Sequence, residues 1–171
     1  MSKAKYSYLA GILDGEGCIT VGAGKKETCI NYNAIVLVQN TNKKLIDWLQ
    51  SRFGGQVYLS KKATERTRQA WMWRLTKKKD IELLLLAVLP YLIIKTEQAK
   101  VLLAFVRLAP EALPELRAIY WQQLRILNAR GVSVTTNTQD ALVTEFSETL
   151  IAKTMIESDL HGDVQSDPTV K

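Results

Sequence analysis

The chain has 171 residues, 47% of them apolar, which suffices for one domain with a hydrophobic core and excludes a disordered or fibrous protein. Its formal net charge of +6 favours an anionic partner, although a basic protein without such a partner fits the charge equally well. The single histidine, His161, lies in a polar terminus, which removes Ser–His and Cys–His catalysis from consideration, and the two cysteines match no zinc or disulfide pattern.

The predicted secondary structure alternates between helices and pairs of strands. Helical spacing of apolar residues, two-residue alternation, and glycine or proline at the ends define the elements. In chain order they are a helix at 4–14, strands at 18–21 and 28–39, a helix that ends at 53, strands at 56–62 and 70–76, and helices at 80–89, 96–108, 115–129 and 138–159. This order predicts an α+β fold, with a four-stranded antiparallel sheet, helices on one face and additional C-terminal helices. We expect one domain at 1–160, with its core at 4–108, and a flexible tail at 161–171.

The longest predicted strand, at 28–39, has the clearest alternation in the chain. From Ile30 onward its even-numbered side chains are apolar and form a predicted core face, whereas the odd-numbered ones are half polar and can contact something other than the core. Asn40 or Thr41 is expected to cap the helix that follows, and Thr96 is expected to cap a later one.

Residues 9–17 read Leu-Ala-Gly-Ile-Leu-Asp-Gly-Glu-Gly and carry the strongest functional signal. The stretch begins as an apolar helix that contains small residues, and it ends in two carboxylates, each of which is followed by a glycine. On their own, Asp14 could be a polar helix end and Glu16 a solvated turn residue. The complete stretch resembles the signature of the LAGLIDADG homing endonucleases, and it departs from that signature in having Glu16 where the family usually has Asp.

This resemblance implies a metal-dependent phosphodiester hydrolase with a saddle-shaped sheet. Glu16 and the backbone carbonyl of Gly15 are the implied ligands of Mg²⁺ or Mn²⁺, whereas Ca²⁺ is expected to bind without supporting cleavage. Because the motif occurs once, a site that cuts both strands needs two copies of the chain, paired through their motif helices. The implied residues of the homodimer interface are Leu9, Ala10, Gly11, Leu13 and Asp14.

A second segment, residues 89–99, looks like the part of single-motif family members that carries an active-site lysine. Lys95 matches that lysine and is the implied catalytic cation, since a positioned ammonium can stabilise charge on the phosphate. Without the first motif, it would read as a surface lysine before a helix. The family also implies catalytic roles for Gln39 and Lys43. Asn40 stays an alternative to Gln39, and a simple role at the helix start stays open for Lys43.

The resemblance further implies that the open face of the sheet binds the DNA major groove, where strand side chains read base edges and basic loops contact phosphates. Eight Lys or Arg but one acid, Glu65, lie between residues 61 and 79. The implied DNA-binding residues are Thr20, Lys25, Lys26, Asn31, Asn33, Ile35, Leu37, Tyr58, Ser60, Lys61, Lys62, Arg66, Arg68, Met72 and Arg74. Trp71 and Trp73 could stack on bases, but strand alternation places them in the core.

Together these features predict an intron-encoded, site-specific homing endonuclease that cuts both strands of a long pseudo-palindromic DNA target. An RNA maturase that assists splicing of its host intron is the alternative, and a DNA-binding regulator without catalysis is a third class, which Glu16 disfavours. We expect no signal peptide and no membrane span, since Glu82 and Pro90 break the longest apolar run. The expected location is the cytoplasm of a bacterium or archaeon, or an organelle.

Overall fold

The computed structural model describes residues 3–26 and 29–129, within one compact unit, Met1–Val132. Its elements in chain order are α1 (Lys3–Glu16), β1 (Gly17–Lys26), β2 (Cys29–Asn40), α2 (Lys43–Phe53), β3 (Gln56–Lys61), β4 (Ala70–Leu75), α3 (Lys78–Val88), a 3-10 turn (Leu89–Tyr91), α4 (Thr96–Val106) and α5 (Pro114–Leu127). The predicted helix at 138–159, the tail at 161–171 and His161 lie outside the described residues. Within the described part, no helix is long and apolar enough to cross a membrane.

The sheet confirms the predicted α+β fold, with four antiparallel strands in the order β1-β2-β4-β3. The strand predicted at 18–21 is too short, because residues 22–26 continue the ladder by pairing with 29–33 of β2. Ladder hydrogen bonds come from the backbone, so the glycines in this stretch do not interrupt them. Four of the five side chains predicted on the core face of β2 are buried, namely Tyr32, Ala34, Val36 and Val38. Ile30, on the same face, is 56% exposed, and Ile35 of the other face is buried as well.

The core lies where the helices cover one face of the sheet. Trp73 of β4 is fully buried there, and its indole N–H donates a hydrogen bond to the Gly54 carbonyl oxygen at 2.6 Å. A buried indole needs such a partner, because an unpaired donor in an apolar core is destabilising. Trp71 is half-buried against the same core. Both tryptophans therefore serve packing, as strand alternation predicted.

Two predicted helix caps are wrong. Asn42 caps α2, one residue beyond Thr41, because its side chain accepts a hydrogen bond from the backbone N–H of Lys44 at 3.0 Å. Thr96 is the first residue of α4 rather than its cap, and its hydroxyl donates back to a carbonyl of the preceding turn. Lys95 occupies the cap position instead, without a side-chain cap bond. The start of α4 is therefore fixed by other contacts of Lys95.

Gly17 joins α1 to β1 in a space that no larger residue fits. A Cβ atom there would lie 2.7 Å from Leu13 Cα and 2.8 Å from the Leu13 carbonyl oxygen. Because these are backbone atoms, Gly17→Ala is expected to lower the free energy of unfolding by about 1–3 kcal/mol, measured by urea denaturation. Gly24→Ala is the matched control, since an added Cβ would meet no atom within 4 Å. Equal stability of the two variants would show that the junction tolerates a side chain.

Candidate active site and DNA interface

The C-terminal end of α1 is bonded to the segment that leads into α4. The Asp14 carboxylate accepts hydrogen bonds from the backbone N–H of Ile93 at 2.8 Å and from that of Lys95 at 2.9 Å. The Lys95 Nζ donates in return to the carbonyl oxygens of Leu13 at 2.7 Å and Asp14 at 2.5 Å. The last turn of a helix leaves carbonyls for such donors, and the helix dipole favours a cation there. The structure therefore places the motif helix directly beside Lys95.

Burial and nearby charges act in opposite directions on Lys95. Burial lowers the pKa of the Lys95 ammonium, whereas Asp14 and, more weakly, Cys18 raise it. Burial also raises the pKa of the Cys18 thiol, and Lys95 partly offsets that change. Asp14 thus has two functions at this junction: it anchors the backbone of the 93–95 segment, and it favours the charged form of the lysine.

Asp14→Asn is expected to lower the pKa of Lys95 further, because it removes the main negative charge that favours the ammonium. NMR of ¹³C-methylated lysines measures this pKa, and Glu115→Gln, an exposed change on α5, is the control that should leave it unaltered. In the pH window between the lowered folded-state pKa and the ordinary lysine pKa, the unfolded chain binds more protons. The contribution of Lys95 to the free energy of unfolding therefore rises with pH across that window. An unchanged pKa in Asp14→Asn would contradict the contact.

Glu16 ends α1 beside the C-terminal end of β2. Its Oε2 accepts a hydrogen bond from the Asn40 Nδ2, and the Asn40 Oδ1 accepts another from the backbone N–H of Asn42 at 2.7 Å. Gln39 is exposed on the opposite, open face of the sheet. Of the two residues that the sequence left open, the structure brings Asn40 into contact with Glu16. A catalytic role for Gln39 stays a prediction.

Lys43 is engaged in the first turn of α2. Its Nζ lies 2.7 Å from the Asp47 carboxylate, with both side chains about half exposed, and 5.2 Å from the centre of the Trp71 ring. An exposed ion pair of this spacing contributes only about 0.3–0.5 kcal/mol, so it holds the lysine weakly. The contacts observed are those of a helix start, and a catalytic role for Lys43 likewise stays a prediction.

The donor atoms at the end of α1 suit a hard divalent cation but do not complete its coordination. Glu16 is exposed, and carboxylate and carbonyl oxygens are the ligands that Mg²⁺ and Mn²⁺ prefer. Among residues 3–26 and 29–129, however, no three His, Cys, Asp or Glu side chains converge. Of the two predicted ligands, Glu16 has an exposed side chain at the end of α1, and a role for the Gly15 carbonyl stays a prediction. The remaining ligands of such an ion have to come from water, phosphate or a second chain.

The predicted dimer interface on α1 needs correction. Three of its residues have no exposed surface, because they pack into the core of their own chain; these are Leu9, Ala10 and Leu13. Asp14 is occupied by the 93–95 segment. Gly11 is exposed, and an added Cβ there would meet no atom within 4 Å. It shares the exposed side of α1 with Gly15 and with Tyr8, which is 57% exposed. This side, rather than the apolar one, is the surface that a second chain can reach.

The predicted base-contacting residues of β2 all lie on the open face, but one of them has little exposed surface. Asn31 and Asn33 are exposed, and Leu37 is half-buried. Ile35 is only 8% exposed, because its side chain covers Gly22, where an added Cβ would lie 2.7 Å from Ile35 Cδ1. Ile35 therefore covers the glycine with most of its side chain, and a contact of Ile35 with DNA stays a prediction.

Arg74 lies on the open face, near the end of the sheet where β1 and β3 begin. Backbone pairing places it in one row with Leu37 of β2 and Gln56 of β3, and Cys18 of β1 continues the row. Within the described part of the chain, the Arg74 Nε is the buried side-chain polar atom that has no hydrogen-bond partner. A guanidinium has five N–H donors, so Arg74 retains donors for a ligand on this face.

The other predicted DNA contacts lie along the strands and in the loop between β3 and β4. Tyr58 is 44% exposed, the Ser60 hydroxyl donates to a backbone carbonyl of β4, and Thr20 and Met72 are half-buried. The exposed basic side chains are Lys25, Lys61, Lys62, Arg66 and Arg68. The side chain of Lys26 is outside the described part.

A shallow cleft lies between the start of α2 and the β3–β4 loop. The residues that line it are Thr41, Asn42, Lys43, Lys44, Arg68 and Gln69. Three of these side chains are cationic, so the loop and the start of α2 together form a positively charged border beside the sheet. Such a border suits phosphate groups, which position a nucleic acid without reading its sequence.

No protein-family model matches the sequence, and no curated protein sequence matches it. Solved structures do match. The homing endonuclease I-CvuI, in complex with its DNA target, aligns with a TM-score of 0.64 at 18% sequence identity, over 85% of this chain and 96% of that one. The archaeal intron-encoded homing endonuclease I-Vdi141I, complexed with DNA, gives 0.60 at 12% identity over 84% and 97%. The group I intron-encoded homing endonuclease I-CeuI gives 0.59 at 14% over 77% and 70%. The chain has the LAGLIDADG homing endonuclease fold.

Two contacts within this LAGLIDADG fold were not predicted from the sequence. Asp14 was assigned to the dimer interface, whereas its carboxylate is bonded to the 93–95 segment of its own chain. The bond from Asn42 that orients Asn40 was not anticipated. The only local signal for the second contact is the polar run at 40–42, because Asn side chains commonly bond the backbone two residues on. The first contact joins distant parts of the chain and leaves no local signal.

Proposed function

We propose that this chain is a site-specific, divalent-metal-dependent DNA endonuclease that acts as a homodimer. The main support for the proposal is the arrangement at the end of α1. Glu16 is the last residue of this helix and has an exposed carboxylate, and Lys95 binds the carbonyls of Leu13 and Asp14 in the same helix turn. The fold supports it, since I-CvuI was crystallised with DNA in the presence of Mg or Ca. An acid, a cation and a neighbouring open sheet face are the parts that phosphodiester hydrolysis on a duplex needs.

In the proposed site, each residue has a separate task. Glu16 and the Gly15 carbonyl hold Mg²⁺ or Mn²⁺, which supplies a water of lowered pKa and neutralises charge on the phosphate. Lys95 has three N–H donors, of which two bind the carbonyls of Leu13 and Asp14. The third is available to a phosphate oxygen. Because the lysine is already fixed, it stabilises the charge that develops on the phosphate with little reorganisation.

Two copies are needed because one chain offers a single carboxylate for the metal at this place. A two-fold axis along the exposed side of α1, which carries Gly11, brings two Glu16 side chains to the same side of the dimer. A two-fold dimer recognises a pseudo-palindromic target and cuts each strand once.

The open sheet face is the proposed DNA-reading surface. Arg74 suits guanine and the exposed pair Asn31 and Asn33 suits adenine, since these side chains match the donors and acceptors of those bases in the major groove. The basic residues of the loop and strand ends neutralise phosphates. If six to ten phosphates are contacted, affinity falls by about 10³–10⁵-fold between 50 and 200 mM salt.

Selection of cut molecules from a randomised duplex library in Mg²⁺ tests this function. We expect a recovered site with two-fold symmetry, cut once on each strand, and no cutting when Ca²⁺ replaces Mg²⁺. Guanine and adenine should be enriched at symmetric positions outside the cut. Failure to recover any cut site, with Mg²⁺ and with Mn²⁺, would refute the endonuclease.

Encoding within an intron, and a location in a prokaryotic cytoplasm or an organelle, belong to the same proposal. The RNA maturase is the competing outcome. Binding to a structured intron RNA without cutting of any duplex would favour it, whereas cutting without RNA binding favours the endonuclease alone.

A further inference from the structure

We propose that Asn40 is a positioning residue that holds Glu16 in the orientation needed to bind the metal. This inference rests on the proposed function and deepens it. The amide lies between the carboxylate and the backbone of the next turn, and it contacts both. Asn40 would act through Glu16, without itself touching the metal.

Asn40 is held in place by contacts that do not involve Glu16. Its backbone pairs with Trp71 in the β2–β4 ladder, which sets where the side chain begins. Its Oδ1 accepts from the backbone N–H of Asn42 at 2.7 Å. A backbone N–H can only donate, so the amide atom that faces it must be the oxygen. The Nδ2 is thereby directed at the Glu16 Oε2, and the orientation follows from the bonding partners.

Glu16 needs such a restraint more than an aspartate would. It is exposed at the last position of α1, and a glutamate has one more rotatable bond than an aspartate. The bond from Asn40 occupies Oε2. Within the described residues, Oε1 has no hydrogen-bond partner, which leaves it free to face a cation. The longer acid and its amide partner together present a single oxygen in a fixed place.

Residues that orient a metal ligand are worth about 10–100-fold in metal affinity. Asn40→Ala is therefore expected to weaken Mn²⁺ binding by about that factor. Asn40→Ala also removes the contact with Asn42, and a loss of Mn²⁺ affinity caused by that change alone would look the same in this variant. A Glu16→Asp background separates the effect of the Glu16 contact from the effect of the Asn42 contact. Aspartate is one carbon–carbon bond shorter, which moves its carboxylate away from Asn40, so we expect the loss of the amide to have little further effect on the metal affinity of this background.

The experiment is a four-protein cycle on the full chain: the wild type, Asn40→Ala, Glu16→Asp and the double variant. Mn²⁺ affinity is measured in the presence of the selected duplex by electron paramagnetic resonance of the free ion, with the duplex alone as the blank and thermal unfolding as the check on folding. We expect a loss of about 10–100-fold on Asn40→Ala in the wild-type background and less than about twofold in the Glu16→Asp background. Equal losses in both backgrounds, or no loss in either, would overturn the positioning role.

A Glu16→Gln variant distinguishes failure of this inference from failure of the proposed function. If the wild type and Glu16→Gln bind Mn²⁺ equally, Glu16 is not a metal ligand, and the proposed site and the positioning role both fall. If binding depends on Glu16 but not on Asn40, the endonuclease stands and only the positioning role falls.

Discussion

Glu16→Gln is expected to abolish DNA cleavage while leaving DNA binding intact. The bound metal contributes several kcal/mol to the transition state, and each 1.4 kcal/mol is tenfold in rate, so its loss lowers the rate by about 10³-fold or more. Glutamine has the size of glutamate, and its amide oxygen can still accept the bond from Asn40. The fold and the open sheet face should therefore be unaffected.

Single-turnover cleavage of the selected target in Mg²⁺ and gel-shift binding without divalent metal measure the two effects separately. Glu111→Gln removes an exposed carboxylate between α4 and α5 and is the control that should cut at the wild-type rate. Persistent cleavage by Glu16→Gln would show that Glu16 is not part of the catalytic centre. A parallel loss of binding would mean that the change acts through the DNA surface or the fold instead.

Gly11→Glu is expected to separate the dimer. Gly11 is exposed and has free space around it, so the substitution fits its own chain without a clash. Across a two-fold interface it would bring two like charges together. The effective penalty for removing a charge from water is several kcal/mol per ion, which weakens dimerisation by about 10³-fold or more. Cutting of both strands should be lost with the dimer.

Sedimentation velocity of the free protein and of its DNA complex measures the oligomeric state. Ala104→Glu adds the same charge to an exposed position of α4 and is the matched control, which should stay dimeric and active. A Gly11→Glu protein that remains dimeric would place the interface elsewhere. Ala10, which the sequence also suggested, is unsuitable for this test, because a charge at that buried position would unfold the chain.

The fold could be predicted from local patterns because those patterns repeat along each element. The alternation of β2 identified its core face, including Val36 and Val38, and the number of strands was predicted correctly, whereas their order in the sheet was not predicted. The errors occur where several residue types compete or where side chains are small. Asn40, Thr41 and Asn42 can all cap a helix, and the cap falls on Asn42 because Asn40 still pairs in the sheet.

The candidate site was less predictable, since its contacts join parts of the chain that are far apart in sequence. Helical spacing showed that Leu9 and Leu13 share an apolar face, but it could not tell whether that face meets the chain's own sheet or a second copy. The structure buries both in their own core. Likewise, strand parity placed Gln39 on the open face, and only the tertiary arrangement of α1 against β2 brings Asn40 to Glu16.

A crystal of the protein with its selected DNA target and Mn²⁺, measured at the manganese absorption edge, gives the most direct test. Anomalous scattering locates the ion independently of how the protein is built. We predict manganese in contact with Glu16 carboxylate oxygens of two copies of the chain, next to the phosphate that is cut. Manganese at other residues only, or a single copy of the chain on the duplex, would contradict a shared metal centre at the end of α1.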